Sequence, residues 1–371
     1  MKNMISVCTN YSKKIFLSLS IFFLVLSCKE KEEDYSITSL NPVKLPEESE
    51  SYRIEEGCYS SFFILDSFLI MTPLCNLERN SEVDKKIYVF NKKTLQLVAK
   101  FGTRGMANFE FLSTIFPLST VRQKSDSILF YDSMSKHFKT VNLNKFLSGV
   151  TVADCISSTA MYQDLMSAVS LKIVDESKFV CRSHQDAERT ISMFFIYDTK
   201  KNEMKRTKPI PNLKVDEQHR KFLYHGVLGA NGSKKSIVYS TRYFDQIIFY
   251  DLNGNIMKHH VFSPLIKPEL SNQYLVPVPE STLNYALDIY ETSAYCFLTT
   301  RCYQFGDNQR NLLIFNWEGL LINTFEFFPN TRICYDEEFE CLYTFESSEE
   351  ENDPYMTVRK YNIGEYLKVN Q

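Results

Sequence analysis

Several things are scarce in this chain of 371 residues, and each scarcity removes a class of protein. Positive charge is not in excess: 42 Lys and Arg stand against 45 Asp and Glu, a formal net charge of −3. Nucleic-acid binding driven by a basic surface therefore has no footprint. No apolar run reaches the ~20 residues that a helix needs to cross a bilayer; the N-terminal stretch Ile15 to Leu26 has twelve. Helical periodicity is nearly absent, which argues against solenoids of helices. Catalytic and metal signatures are scarce too. No CxxC pair or Cys/His cluster has zinc spacing, and none of the six histidines (His137, His184, His219, His225, His259, His260) lies in an HExxH motif. His259 and His260, adjacent on a strand, point to opposite faces, so at most one of them serves any site. There is no GxSxG elbow, P-loop or dinucleotide fingerprint.

Apolar residues are plentiful: 44% hydrophobic and 14% aromatic, enough for a large core. At the N-terminus, Lys13 and Lys14 precede the twelve-residue apolar stretch, which reads as the h-region of a signal peptide over residues 1–27. Val25-Leu26-Ser27-Cys28 resembles the bacterial lipoprotein box, with Cys28 as the lipidated first residue of the mature chain; plain secretion with cleavage after a small residue is the alternative. Cleavage removes Lys2, Lys13 and Lys14 and leaves 39 basic against 45 acidic side chains, a balance of −6. Residues 28–50 read as a charged tether opening with Lys29-Glu30-Lys31-Glu32-Glu33-Asp34, a solvated spacer. That tract also resembles the acidic, Lys-containing tags of surface-exported lipoproteins of some Gram-negative anaerobes. The expected address is a lipid anchor in the bacterial outer membrane, with the domain outside it. Eight cysteines remain after Cys8 and Cys28, an even number that permits disulfides. Several lie inside apolar strand-like runs, where Cys behaves as a small hydrophobe, so buried thiols are expected for most.

A phrase recurs: four or five apolar residues closed by Asp or Asn and a turn. It reads IYVFN at Ile87 to Asn91, FFIYD at Phe194 to Asp198, IIFYD at Ile247 to Asp251 and LLIFN at Leu312 to Asn316, with weaker copies at Phe138 to Asn142 and Thr357 to Asn362. The phrases are too short for helices and apolar at odd and even positions alike, so both faces of each strand must be covered. The closing Asp or Asn folds onto the backbone two residues on. A further strand follows most turns, and a hairpin precedes most copies, as in Leu171 to Ser183 and Ala286 to Thr300. Each unit thus holds four strands, and the closing residues at 91, 142, 198, 251, 316 and 362 recur roughly every fifty residues. A sandwich would leave one face of each sheet polar, whereas radial packing covers both. The expected fold is all-β: a six-bladed β-propeller of four-stranded antiparallel blades over residues 51–371. In the second unit Ser127 to Asp132 and Phe138 to Leu143 supply strands two and three, and Asn144 to Ser170 has room for an irregular fourth strand and a helical turn without a clear placement. Ring closure is open between an outer strand from Glu365 to Asn370 and pairing by the segment Tyr35 to Glu56.

At Phe101 the chain reads FGTRGMANFEFL. This resembles the F-G-x-x-G-(four)-E-F signature of TolB-like six-bladed propeller lipoproteins, which are similar also to NHL-repeat proteins. Phe101, Gly102, Gly105, Glu110 and Phe111 match, while Ala107-Asn108 replaces the Gly-Pro pair usual before the Glu. The resemblance implies a propeller at the cell envelope and carries over no catalytic residue.

In propellers, loops joining strands two and three and loops joining blades open on one face, and insertions gathered there favour ligand binding. Arg182, Arg242 and Arg301 each stand near the end of a second strand, and Arg104 lies in the glycine-bearing loop of the same face. With His184, and with Tyr243 and Tyr303 beside them, these residues form the candidate ligand site at the channel mouth. Converging guanidinium groups favour an anionic small molecule, glycan or peptide; the plainer reading is solvated loop arginines paired with nearby acids. The first expectation of function is an envelope-anchored binding propeller, with a protein partner as one kind of ligand. The alternative is a metal-assisted lyase or lactonase acting on glycan-derived substrates. Asp245, Asp288 and Asp336 are the carboxylates at hand for it, each of which also reads as a turn or strand-end residue. A binder is favoured over an enzyme, and no catalytic residue, metal or cofactor is assigned. A converging cluster of three or more Asp, Glu, His or Asn side chains at the mouth separates the two.

Overall fold

A computed structural model describes residues 36–371 except 56–58, 74–85, 114, 119–126, 184–191, 216–218, 220–221, 271–284, 302–309, 328–330, 348–354 and 369–371. Six antiparallel sheets stand around a central axis as the blades of a propeller. Blade I holds β3 (Tyr59–Leu65), β4 (Phe68–Pro73), β5 (Ile87–Asn91) and β6 (Leu97–Phe101). Blade II holds β7 (Ile115–Pro117), β8 (Ser127–Asp132), β9 (His137–Asn142) and β10 (Ile156–Ala160). Blade III is β11 (Ala168–Ile173), β12 (Lys178–Ser183), β13 (Phe195–Asp198) and β14 (Glu203–Arg206); blade IV is β15 (Gly226–Asn231), β16 (Ser236–Thr241), β17 (Gln246–Asp251) and β18 (Ile256–Val261). Blade V runs from β19 (Ala286–Glu291) through β20 (Tyr295–Arg301) and β21 (Arg310–Asn316) to β22 (Leu321–Phe327). Blade VI has β23 (Thr331–Asp336), β24 (Cys341–Ser347) and β25 (Tyr355–Asn362), and its fourth strand is β2 (Glu50–Glu55), from the other end of the sequence.

The recurring phrases are the third strands. Their side chains are covered on both faces because each lies deep in its blade with a neighbouring blade on either side: Leu312, Leu313, Ile314 and Phe315 are all fully buried, as are Ile248 and Phe249. The outer strands β6, β14 and β18 alternate or expose most positions instead. The closing Asp or Asn acts as expected. Asn91 Oδ1 accepts from the backbone N–H of Lys93 and Thr94, and Asp251 Oδ1 accepts from those of Asn253 and Asn255 at 2.8 and 2.9 Å. In blade II the same device serves a helix, since Asn142 Oδ1 accepts from Lys145 N–H and caps residues Leu143–Leu147. That helix and a second at Val152–Cys155 fill the stretch the sequence left unplaced, and β10 completes the blade after them.

The signature loop FGTRGMANFEFL turns out to be a joint between blades I and II. Gly102 has φ +77°, and a Cβ there would meet the ring of Phe111 at 2.9 Å. A Cβ on Gly105 would lie 1.9 Å from the Glu110 carboxylate, which itself accepts the Ala107 N–H at 2.9 Å. Phe111 is fully buried, edge-on to Phe130 of β8. The buried Lys139 donates to the Asn108 carbonyl at 2.8 Å, tying the loop to β9.

The ring is closed by the N-terminal arm and not by an outer strand from the C-terminal residues, of which Gly364–Leu367 form a helical turn. Glu50 to Glu55 pair antiparallel with Tyr355 to Lys360. Upstream, Val43–Lys44 (β1) add a parallel edge to β22 of blade V, and Ile37 bridges Val261 of blade IV. The arm therefore runs along the outer edges of blades IV, V and VI in turn, beginning inside the stretch read from sequence as a tether. Cys155, Cys181, Cys296, Cys334 and Cys341 are free and buried, as their apolar settings suggested, and burial pushes their thiols up.

Candidate functional site: the central channel

The six inner strands surround a cavity of about 300 Å³. Each blade contributes to its wall: Phe62, Phe116, Lys172, Val227, Asp288 and Arg332 come from blades I to VI respectively. Because inner strands all run the same way, the four-residue turn between β16 and β17 and the connections between blades open on one end of the channel, the upper face. The tight hairpin turns such as Asp66-Ser67 open on the lower face.

Arg182 is on β12, a second strand, yet it also forms part of the channel wall. Its neighbours Tyr239 and Arg242 belong to blade IV, so its guanidinium lies between two blades, beside Gly226, which offers no side chain to the wall. A Cβ on Gly226 would come within 2.1 Å of the Ser240 carbonyl oxygen. The Arg182 Nε is enclosed and has no hydrogen-bond partner. Burial, with Arg242 nearby, lowers the pKa of this side chain. An enclosed donor on a cation is costly unless something accepts from it.

The other charges on or next to the wall are matched. Lys172 Nζ lies 2.6 Å from Glu291 Oε2, and Glu291, with no exposed surface, also accepts the Ala230 N–H at 2.6 Å through Oε1. One carboxylate thereby joins blades III, IV and V. Gly229 makes room for it, since a Cβ there would sit 3.2 Å from Oε1. Arg332 Nη1 lies 3.6 Å from Asp288 Oδ2. Asp288 is 57% open to the channel but walled by protein all round, and that enclosure raises its pKa against the pull of Arg332 and Lys172.

A second cavity, of about 360 Å³, opens on the lower face between blades I, V and VI. Lys92 there reaches Asp336 at 2.9 Å and Glu338 at 2.7 Å, with Lys92 3% and Asp336 2% exposed. Its acids are held internally: Glu337 accepts from the Ser293 hydroxyl and the Ala294 N–H.

Of the residues singled out from sequence, Arg182 and Arg242 come together between blades III and IV. Arg242 is exposed in the turn after β16, next to the half-buried Tyr243. Arg104 is exposed on the joint loop, where its backbone pairs with Phe111; it is not on the channel wall. Arg301 is the last residue of β20. His184, Tyr303 and Cys28 lie outside the described residues. The three carboxylates considered for a metal are apart. Asp288 is in the channel and Asp336 is paired on the lower face. Asp245 is in the turn after β16, where burial pushes it up to about 6 against a hydrogen bond from Ser263. Among the described residues no group of three Asp, Glu, His or Cys could hold a metal ion. His259 bonds Gln246 Oε1 at 2.9 Å while His260 bonds the Gly319 carbonyl at 2.7 Å, on opposite faces of β18. Sequence reasoning missed Lys172, Glu291 and Arg332. Their signal was a charge inside an apolar inner strand, as in LKIVD, ALDIYE and RICYD.

No protein-family model matches the sequence, and no curated protein does. Solved structures do. A member of the duf4221 family from Bacteroides vulgatus aligns at 12% identity over 86% of this chain and 98% of its own, with a TM-score of 0.53. A protein from Bacteroides fragilis described as exported aligns at 11% identity over 88% of this chain and 99% of its own, with a TM-score of 0.50. At these identities the likeness is one of fold. Among the described residues no helix is long and apolar enough to cross a membrane.

Proposed function

We propose that this chain is an exported propeller, anchored in the outer membrane through lipid on Cys28, that binds a small anionic ligand in the upper part of its channel. The observation that carries the binding reading is Arg182: a cation brought from a second strand to the channel wall, with Arg242 and not an acid as its charged neighbour. A guanidinium on a cavity wall with no acid beside it favours an anionic ligand through charge-assisted hydrogen bonds. Arg242, exposed above it, adds positive potential at the entrance. Anchoring is supported by Lys13-Lys14, the apolar stretch and Ser27-Cys28. The FGTRGMANFEFL joint supports kinship with TolB-like propeller lipoproteins, and the Bacteroides fragilis neighbour described as exported is consistent with export. The charged tract after Cys28 supports display outside the membrane.

Two measurements test this reading. Cells fed an alkyne-labelled fatty acid should label the wild-type protein and not Cys28→Ala, which should move to the aqueous phase on detergent partition; a labelled Cys28→Ala ends the anchoring reading. Thermal shift of the purified protein against small carboxylates, sulfate and phosphate should show at least one stabilising anion whose effect is lost in Arg182→Met. No shift by any anion, or an equal shift in the variant, ends the binding reading.

A further inference from the structure

The charge inventory of the channel narrows the ligand further, resting on the reading that an anion binds at Arg182. Three cations, Lys172, Arg182 and Arg332, face or adjoin the cavity, along with two carboxylates, Asp288 and Glu291. Lys172 is taken by Glu291 at 2.6 Å, in a contact that also fixes the backbone of blade IV. Arg332 is drawn to Asp288 at 3.6 Å. Each pair is a cation and an anion from different blades, so each is held by the architecture. What remains is one positive charge on the wall, that of Arg182.

The rest of the wall mixes apolar side chains with the polar groups of Ser61, Ser170 and Tyr131. Phe62, Phe116 and Tyr290 present rings; Leu171, Val227 and Ile289 fill between them. Phe116 is 37% exposed, in a strand otherwise buried, so part of this surface stands open to the cavity. A cavity of about 300 Å³ is at the small end of the range for ligand sites. We infer that the channel takes a small monoanion, a carboxylate or sulfonate joined to an apolar or aromatic body, with the charged group on Arg182 and the body against the rings of blades I, II and V.

The same inventory disfavours dianions and polyanions. A phosphate monoester or a sugar acid with several charges would bring a second negative charge to cations already paired with acids. A neutral molecule of the same shape would forgo the charge-assisted bond to the Arg182 guanidinium.

The probes are 3-phenylpropionate, its amide, acetate and sulfate, titrated by calorimetry into the full-length protein in detergent and into Arg182→Met and Arg182→Lys. The expected result is binding of 3-phenylpropionate that is at least tenfold tighter than that of the amide, of acetate and of sulfate. It should be abolished in Arg182→Met and weakened but present in Arg182→Lys, with the melting of each variant confirming the fold. If sulfate binds as tightly as 3-phenylpropionate and is lost in Arg182→Met, an anion site exists but the monoanion-with-apolar-body assignment is wrong. If the amide equals the acid, the charge argument is wrong. If binding survives in Arg182→Met, or no probe binds, both the assignment and the reading it rests on fall.

Discussion

The two ends of the channel treat buried charge in opposite ways. Toward the lower face, among the described residues, the enclosed cations Lys172 and Lys92 each have an acid: Lys172 with Glu291, Lys92 with Asp336 and Glu338. Toward the upper face Arg182 has an enclosed nitrogen with no acceptor, and Asp245, although bonded to Ser263, is desolvated enough that its carboxyl is pushed up to about 6. A matched pair that spans blades is a structural joint, because removing either member strands the other. An unmatched group lowers stability unless something from outside completes it. The lower end is where the ring is fastened; the upper end is where it waits.

The largest effect should come from breaking a joint. Glu291→Ala leaves Lys172 and the Ala230 N–H without their shared acceptor and should cost about 3–5 kcal/mol in chemical denaturation. Adding Lys172→Met to it should recover much of that loss. Lys92→Met is expected next, at roughly 3 kcal/mol, since Asp336 is nearly as enclosed while Glu338 reaches solvent. Either joint variant that melts like wild type would erase the contrast between the ends.

Asp245 supplies a pH-dependent version. Its folded pKa of about 6 lies above the unfolded 3.8, so the folded state holds the proton more tightly. That contribution is complete below pH 3.8 and is lost as pH rises through about 6. Asp245→Asn should therefore raise stability at pH 7 by at most about 3 kcal/mol and change little at pH 4, when unfolding is followed at both. The smallest shift should be Arg182→Met, which removes an unmatched charge and should raise stability by about 1 kcal/mol while ending ligand binding. A gain in stability with loss of binding is the signature of a group kept for a ligand; a loss of stability would make Arg182 another joint.

Much of this was legible in the residues. Ile247 to Asp251 and Leu312 to Asn316 announced buried third strands because apolar side chains on both faces have only one kind of home, and Asp251 and Asn91 announced their turns by chemistry local to four residues. Blade II was only partly legible, since its fourth strand, Ile156–Ala160, is mostly exposed and follows two short helices. Closure was left open because Glu50 to Glu55 reads ESYRIE, the polar face of an edge strand, and nothing local names its partner. The second-strand arginines were visible as a pattern. That Arg182 is enclosed while Lys172 is matched to an acid 119 residues away was not, because it depends on how blades lean on one another.

The arm that closes blade VI also sets an order of events. Glu50 meets Lys360, 310 residues later, and β1 meets β22 nearly as far on. The first strand to emerge during synthesis is thus among the last to find its place, and until the final blade exists its backbone N–H and C=O groups have no mate. A chain cut short before Tyr355 would keep five sheets and lose the clasp, leaving both rims of the gap open to strands from other molecules.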